Sequence, residues 1–327
     1  MGKVRSFLQR EEGSVLVIAA LAMTALMGFA ALVTDVGLLY AERARLMDTA
    51  DAAALAGAQE LPVSLEAAEH VAGHYIQRNG GDPSDFSVYA GTDSDYPGKV
   101  VRVTANSEVD FFFARVLGFT KADVGARAVA TAGGATSANH VVPIGINKEQ
   151  ERIPGKEYTL KFNAPPDDKS GLGAGNFGAL DLDGNNGGGA NDYRERLKHG
   201  YKQVLKVGDI IIPESGNMAG PTEQGVSHRL NGCNHFPRCT IYHYEKDCPR
   251  VVVIPVYEIY EMQNKNKVKS MKIVGFAAFL LKDYSEEGKG NNSKATIKGY
   301  FLHDYVIPGD SDPEQKNYGV YGVNLIE

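Results

Sequence analysis

The sequence predicts an α+β protein: a long N-terminal transmembrane helix extended as an amphipathic helix, a small α+β layer, then a β-rich C-terminal domain. Three observations lead there. An uncharged apolar run begins near Ser14; the helical pattern continues beyond it without a proline until Pro62; and the periodicity downstream changes from helical to alternating. The expected divisions are a leader at 1–13, the spanning and extended helix at 14–61, a small α+β region at 62–134 and a β-rich extracytoplasmic domain at 135–327.

The first element is the membrane span. Residues 14–34, SVLVIAALAMTALMGFAALVT, contain no charge, and a helix of that length covers about 30 Å, the thickness of a hydrocarbon core. Its Leu, Ile, Val and Phe side chains each favour insertion by roughly 0.3–0.6 kcal/mol at the helix centre. Asp35 follows at the far edge, where a carboxylate reaches water. A cleaved secretory signal fits less well, because the apolar run is too long and no turn-rich cleavage region follows it. Lys3, Arg5 and Arg10 precede the span and Arg43 and Arg45 follow it, a small positive-inside bias that sets the N-terminus in the cytoplasm. The lipid bilayer is thus the first expected partner.

Beyond the span, Leu39, Leu46, Ala50, Ala53 and Gly57 fall on one helical face, opposite Arg45, Asp48, Asp51 and Gln59. A stripe of small residues permits close packing, either on the chain's own sheet or on another helix. Residues 64–79 predict a second helix with Leu65, Ala68, Val71, Ala72, Tyr75 and Ile76 on one stripe, capped by Ser64 and ended by Gly80. FSVYA (86–90), KVVRVTANSEV (99–109) and VGARAVATA (124–132) read as strands, with a short helix in DFFFARVLG between the last two.

The motifs EEGSVLVIAALAMTALMGFAALVTDVGLLYAERARLMDTADAAALAGAQEL, FFFARVLG and VGARAVATA resemble, in this order, the TadE/TadG-like proteins of the tight-adherence, or Flp pilus, system. The resemblance covers residues 10 to 134. It implies an inner-membrane, outward-facing bacterial protein that acts with other pilus-assembly or pilin proteins. Gly13 and Ser14 match a pilin processing site, but the fifth position of the mature segment is Ile18 where pilins carry Glu. The D-x-S-x-S metal motif of larger family members is missing from the sequence.

After the turn-forming GGATSAN, composition shifts toward Gly, Asn, Tyr and Lys. HVVPIGI, EYTLKF, GDIIIP, RVVVIPVYEIY, KIVGFAAFLL and ATIKGYFL predict strands, DYRERLKHGYKQVL a helix and GNMAGPT a structural turn. Asp181, Asp183, Asn185 and Asp192 alternate as in a calcium loop, but the sixth position is Asn186 and no Glu closes it. Gly173, Gly175 and Gly178 fit G-x-G-x-x-G without a flanking strand and helix, and read as a loop.

Cys233, Cys239 and Cys248 are close in sequence to His235 and His243. Outside a cytoplasm, a disulfide between two of them is the expected fate, which leaves one thiol over. Three thiolates and an imidazole on zinc are the alternative, although the C-x5-C-x8-C spacing has no short knuckle.

A net charge of −6 with no Lys/Arg run provides no field for nucleic acid. No nucleophile, base and acid occur in a recognised catalytic pattern. The sequence therefore reads as a structural or interaction protein. A metal-dependent envelope enzyme using the Asp181–Asp192 loop, and a minor pilin drawn into the filament, are the alternatives.

Overall fold

The structure, a computed structural model, describes residues 11–161, 178–184, 189–214, 218–264, 267–287 and 294–327. Helix α1 (Glu11–Ala58) is continuous through the apolar run and its polar extension. Nothing in its sequence interrupts the i to i+4 ladder before Pro62. Helix α2 (Leu65–Arg78) follows after a short turn, with the Ser64 side chain accepting the Ala67 N–H as expected of an N-cap.

Strands β1 (Phe86–Thr92), β2 (Lys99–Asp110) and β3 (Lys121–Ala135) form an antiparallel meander. Helices α1 and α2 lie against one face of it. Ala50, Ala53, Ala54 and Ala58 of α1 meet Ala68, Ala72 and Ile76 of α2 and Val101, Val103, Ala128 and Ala130 of the sheet. The face expected to be narrow and small is the one buried, and it packs within the chain. Gly57 marks the closest approach: a Cβ there would stand 2.8 Å from the Ala68 carbonyl oxygen and 3.1 Å from Val101 Cγ1.

The second half begins with β4 (Ser137–Ala138), β5 (Ile146–Asn147), β6 (Glu157–Lys161) and β7 (Leu180–Asp181). Helix α3 (Gly189–His199), strands β8 (Leu205–Lys206) and β9 (Ile210–Pro213), and helix α4 (Ala219–Asn231) come next. The long strands β10 (Val251–Asn264), β11 (Lys267–Glu287) and β12 (Lys294–Leu302) form the centre of the larger sheet, in the order β5-β10-β11-β12-β6. Both of its faces are covered. Tyr158, Phe279, Ile297 and Phe301 belong to one apolar cluster, and Tyr257, Met271, Phe276 and Leu280 to another.

Three local expectations change. The helix expected over 192–205 starts earlier and stops at His199, because Gly200 takes the left-handed conformation (φ 80°) that ends it. GNMAGPT is not simply a turn: Ala219 to Thr222 open α4. Pro221 is tolerated there because the first helical turn needs no intrahelical N–H donor, and Gly225 lets α4 lie directly on Leu197 of α3.

The third change concerns the boundary near 134. Strands β13 (Tyr305–Val306), β14 (Ser311–Asp312) and β15 (Val320–Leu325) return to the first sheet, whose order is β1-β2-β3-β15-β13 with β14 also on β3. The C-terminal strands thus cross the expected division and extend the first sheet. Short-range patterning carries no signal for a partner nearly two hundred residues away.

Candidate functional site at the membrane-proximal junction

The most apolar stretch of α1 packs on nothing in the chain. Leu16, Ile18, Leu21, Leu26, Phe29 and Val33 are all exposed by more than half their surface. Among the described residues, one helix is long and apolar enough to cross a membrane, with its apolar side chains exposed.

Asp35 interrupts this exposed surface: it is 2% exposed, although Val36, Leu38 and Tyr40 beyond it are exposed again. Its carboxylate is covered by the loop between β2 and β3. Phe112 N–H donates to Oδ1 at 2.9 Å, and Phe113 and Ala114 N–H donate to Oδ2 at 3.0 and 2.7 Å. Those amides open a 3-10 turn (Ala114–Leu117) that has no side-chain cap of its own, so a carboxylate from α1 does the work of a missing N-cap. Burial works to raise the Asp35 pKa, but the three N–H bonds outweigh it and hold the carboxyl below its ordinary value. Gly118 closes the turn at φ 90°.

The same turn carries an apolar surface. Phe112, Phe113, Val116 and Phe119 are 72%, 50%, 88% and 63% exposed, next to the outer end of the exposed apolar helix. Arg115 pairs with Asp110 at 3.1 Å on the adjoining strand. The sequence contained the FFFARVLG string and Asp35 separately; only folding brings them together across the 77 residues between Asp35 and Phe112.

The other candidates lie far from this junction in the chain. Gly13 and Ser14 are within α1, two residues past its start. Asp181 and Asp183 both accept from the Arg196 guanidinium, Asp181 at 3.4 Å, and Tyr201 donates its hydroxyl to Asp183. That positive charge from α3 stands where the calcium reading had an ion, and Asp192 lines the same open cleft as Asp183. Burial and Asp183 together push the Tyr201 hydroxyl up to about 12. Asn185, Gly173 and Gly175 lie outside the described residues. The three cysteines are unbridged, Cys239 and Cys248 buried and Cys233 half-buried.

These features define a class: a protein with one membrane-spanning-length helix continuous with an α+β unit, and a larger β-rich unit built onto it. Residues 13–60 match a family model described as putative Flp pilus-assembly TadE/G-like. Residues 38–130 match one described as putative Tad-like Flp pilus-assembly. Over that N-terminal portion the chain is TadE/TadG-like, and it is a membrane protein related to Flp pilus assembly. No curated protein and no solved structure gave a match.

The first match ends at residue 60, just past α1, and the second at residue 130, within β3. The membrane helix, the Asp35 clamp and the aromatic turn are therefore all in the part of the chain that is TadE/TadG-like, and the β-rich unit lies beyond it.

Proposed function

We propose that the chain is a single-pass tether of a Tad/Flp-type pilus assembly or adhesion apparatus. Its N-terminus is cytoplasmic, and everything from Asp35 onward is outside. The observation that carries this reading is the contrast along α1: largely exposed apolar side chains from Val15 to Val33, then a sequestered carboxylate at Asp35. The Asp35 clamp fixes the β2–β3 turn at the outer membrane boundary, where Phe112, Val116 and Phe119 enter the headgroup region. Two attachments then hold the α+β unit in one orientation, and the β-rich unit contacts other assembly components or the pilin. No reaction is assigned to it.

Ile18, where a pilin has Glu, favours retention in the membrane over entry into a filament. Mass spectrometry of sheared filaments against washed membranes tests this. The expected result is recovery in membranes, with residues 1–13 intact. Stoichiometric recovery from filaments, beginning at Ser14, would establish a minor pilin instead.

The turn is tested separately. The chain contains no tryptophan, so Phe119→Trp introduces a single fluorophore. In liposomes its emission should be quenched by lipids brominated near the headgroup. Quenching by aqueous iodide alone would show the turn to be outside the bilayer.

A further inference from the structure

Among the described residues, a cluster of metal-ligating side chains lies in the loop between α4 and β10. Cys233, His235, Cys239 and Cys248 each contribute one ligand atom, and all four atoms lie within 4.8 Å of one another. His235 Nδ1 is 3.4 Å from Cys239 Sγ and 3.9 Å from Cys233 Sγ. Zinc bonds of about 2.3 Å to sulfur and 2.0–2.1 Å to nitrogen place tetrahedral ligands about 3.5–3.8 Å apart. The loop needs only small side-chain movements to reach that geometry.

We infer that Cys233, His235, Cys239 and Cys248 form a structural zinc site that holds the 233–248 loop on the β-rich unit. The donor set is complete. A disulfide would use two sulfurs and leave the third thiol and the imidazole without a role, whereas a closed tetrahedron uses all four groups. His243, the other imidazole in the loop, is excluded by position: its Nε2 faces Glu245 at 3.9 Å, on an exposed surface.

Backbone N–H groups of His235 and Cys239 donate to Cys233 Sγ, and that of Arg250 donates to Cys248 Sγ. His235 Nε2 points at the Asp247 carboxylate, 3.5 Å away, the arrangement that fixes the ring of a metal-bound histidine so that Nδ1 faces the ion.

The loop is held from beneath by two arginines. Buried Arg250 donates to the Cys239 carbonyl at 2.8 Å and to the Leu281 carbonyl at 2.8 Å. Buried Arg229 of α4 donates to the Pro249 carbonyl at 2.9 Å. Neither forms an ion pair with a carboxylate among the described residues. Zinc(II) with three thiolates and a neutral imidazole carries one net negative charge, and so offsets part of this buried positive charge.

The test uses the full chain in detergent, purified under reducing conditions with zinc supplied. Elemental analysis should find one zinc per chain. Cobalt(II) in its place should give tetrahedral d–d bands with a thiolate-to-cobalt charge-transfer band. Cys233→Ser should lower that band's intensity, since only two thiolates remain, and weaken zinc binding by at least a hundredfold. Asp247→Ala, at a side chain 86% exposed, should leave the fold intact while weakening zinc about 10–100-fold. The inference is overturned if the folded, reduced chain takes up no stoichiometric zinc, or if cobalt binds without thiolate charge transfer. A chain isolated with one disulfide, whose reduction creates no zinc site, also overturns it. None of these outcomes bears on the membrane tether.

Discussion

The two larger sheets of this protein bury their cores in opposite ways. Around α1 the core is built from alanine: Ala50, Ala53, Ala54, Ala58, Ala68, Ala72, Ala128 and Ala130, with Gly57 at the tightest point. Around β10–β12 it is built from rings and long aliphatic chains: Tyr158, Phe279, Phe301, Ile254 and Ile297, with Phe301 in edge contact with both Tyr158 and Phe279. Small residues contribute little burial each, but they let two helices and a sheet approach closely over a long contact. Aromatic residues contribute far more burial each and fix fewer elements at one distance.

This contrast predicts that the two cores fail in opposite directions. Phe279→Ala should be the most damaging change, at about 3–5 kcal/mol, because it leaves a cavity between Phe301 and the sheet; denaturant unfolding of the full chain in detergent measures it. Gly57→Leu should cost about 1–3 kcal/mol by overpacking, since its side chain would meet Ala68 and Ala72 of α2. Loss of α2 protection in hydrogen exchange, with β10–β12 unchanged, would localise that effect. Deletion in the alanine core should be mild: Ala54→Gly should cost about 0.5–1 kcal/mol, mostly through helix entropy. If Ala54→Gly proved as harmful as Phe279→Ala, the comparison would fail.

The smallest and most local effect concerns pH. The folded Asp35 pKa lies below its unfolded value, so its contribution is complete above the unfolded value, about 3.9, and declines as pH falls through the folded one. Exchange of the 112–114 amides, corrected for intrinsic rates, should therefore accelerate in acid. Asp35→Asn should abolish this dependence and leave the turn loosened at neutral pH. An unchanged acid response in Asp35→Asn would assign it to another group.

Much of the first unit could be read from its sequence. The apolar run from Val15 to Val33, the Ser64 cap and the alternation in β2 and β3 are local patterns, and local patterns survive without knowledge of partners. Helix α4 was less legible because Gly220 and Pro221 are strong turn signals; contact with α3, including the Tyr193 hydroxyl bonded to Thr222 at 3.0 Å, overrides them. The cysteine loop lay between the two cases. Its donor residues were visible, but C-x5-C-x8-C does not say which atoms converge, and the choice of His235 over His243 depends on a loop path set by Arg229 and Arg250.

The sequence by itself determined the membrane helix, its polar extension and the α+β class, because hydrophobicity and periodicity are properties of neighbouring residues. Tertiary structure alone decided that Asp35 caps a turn 77 positions away, that three sulfurs and one imidazole lie within 4.8 Å of one another, and that β15 extends the sheet begun by β1. Each of these joins groups distant along the chain. Their proximity is stabilised by burial and backbone hydrogen bonding throughout the fold, which no short stretch of sequence contains.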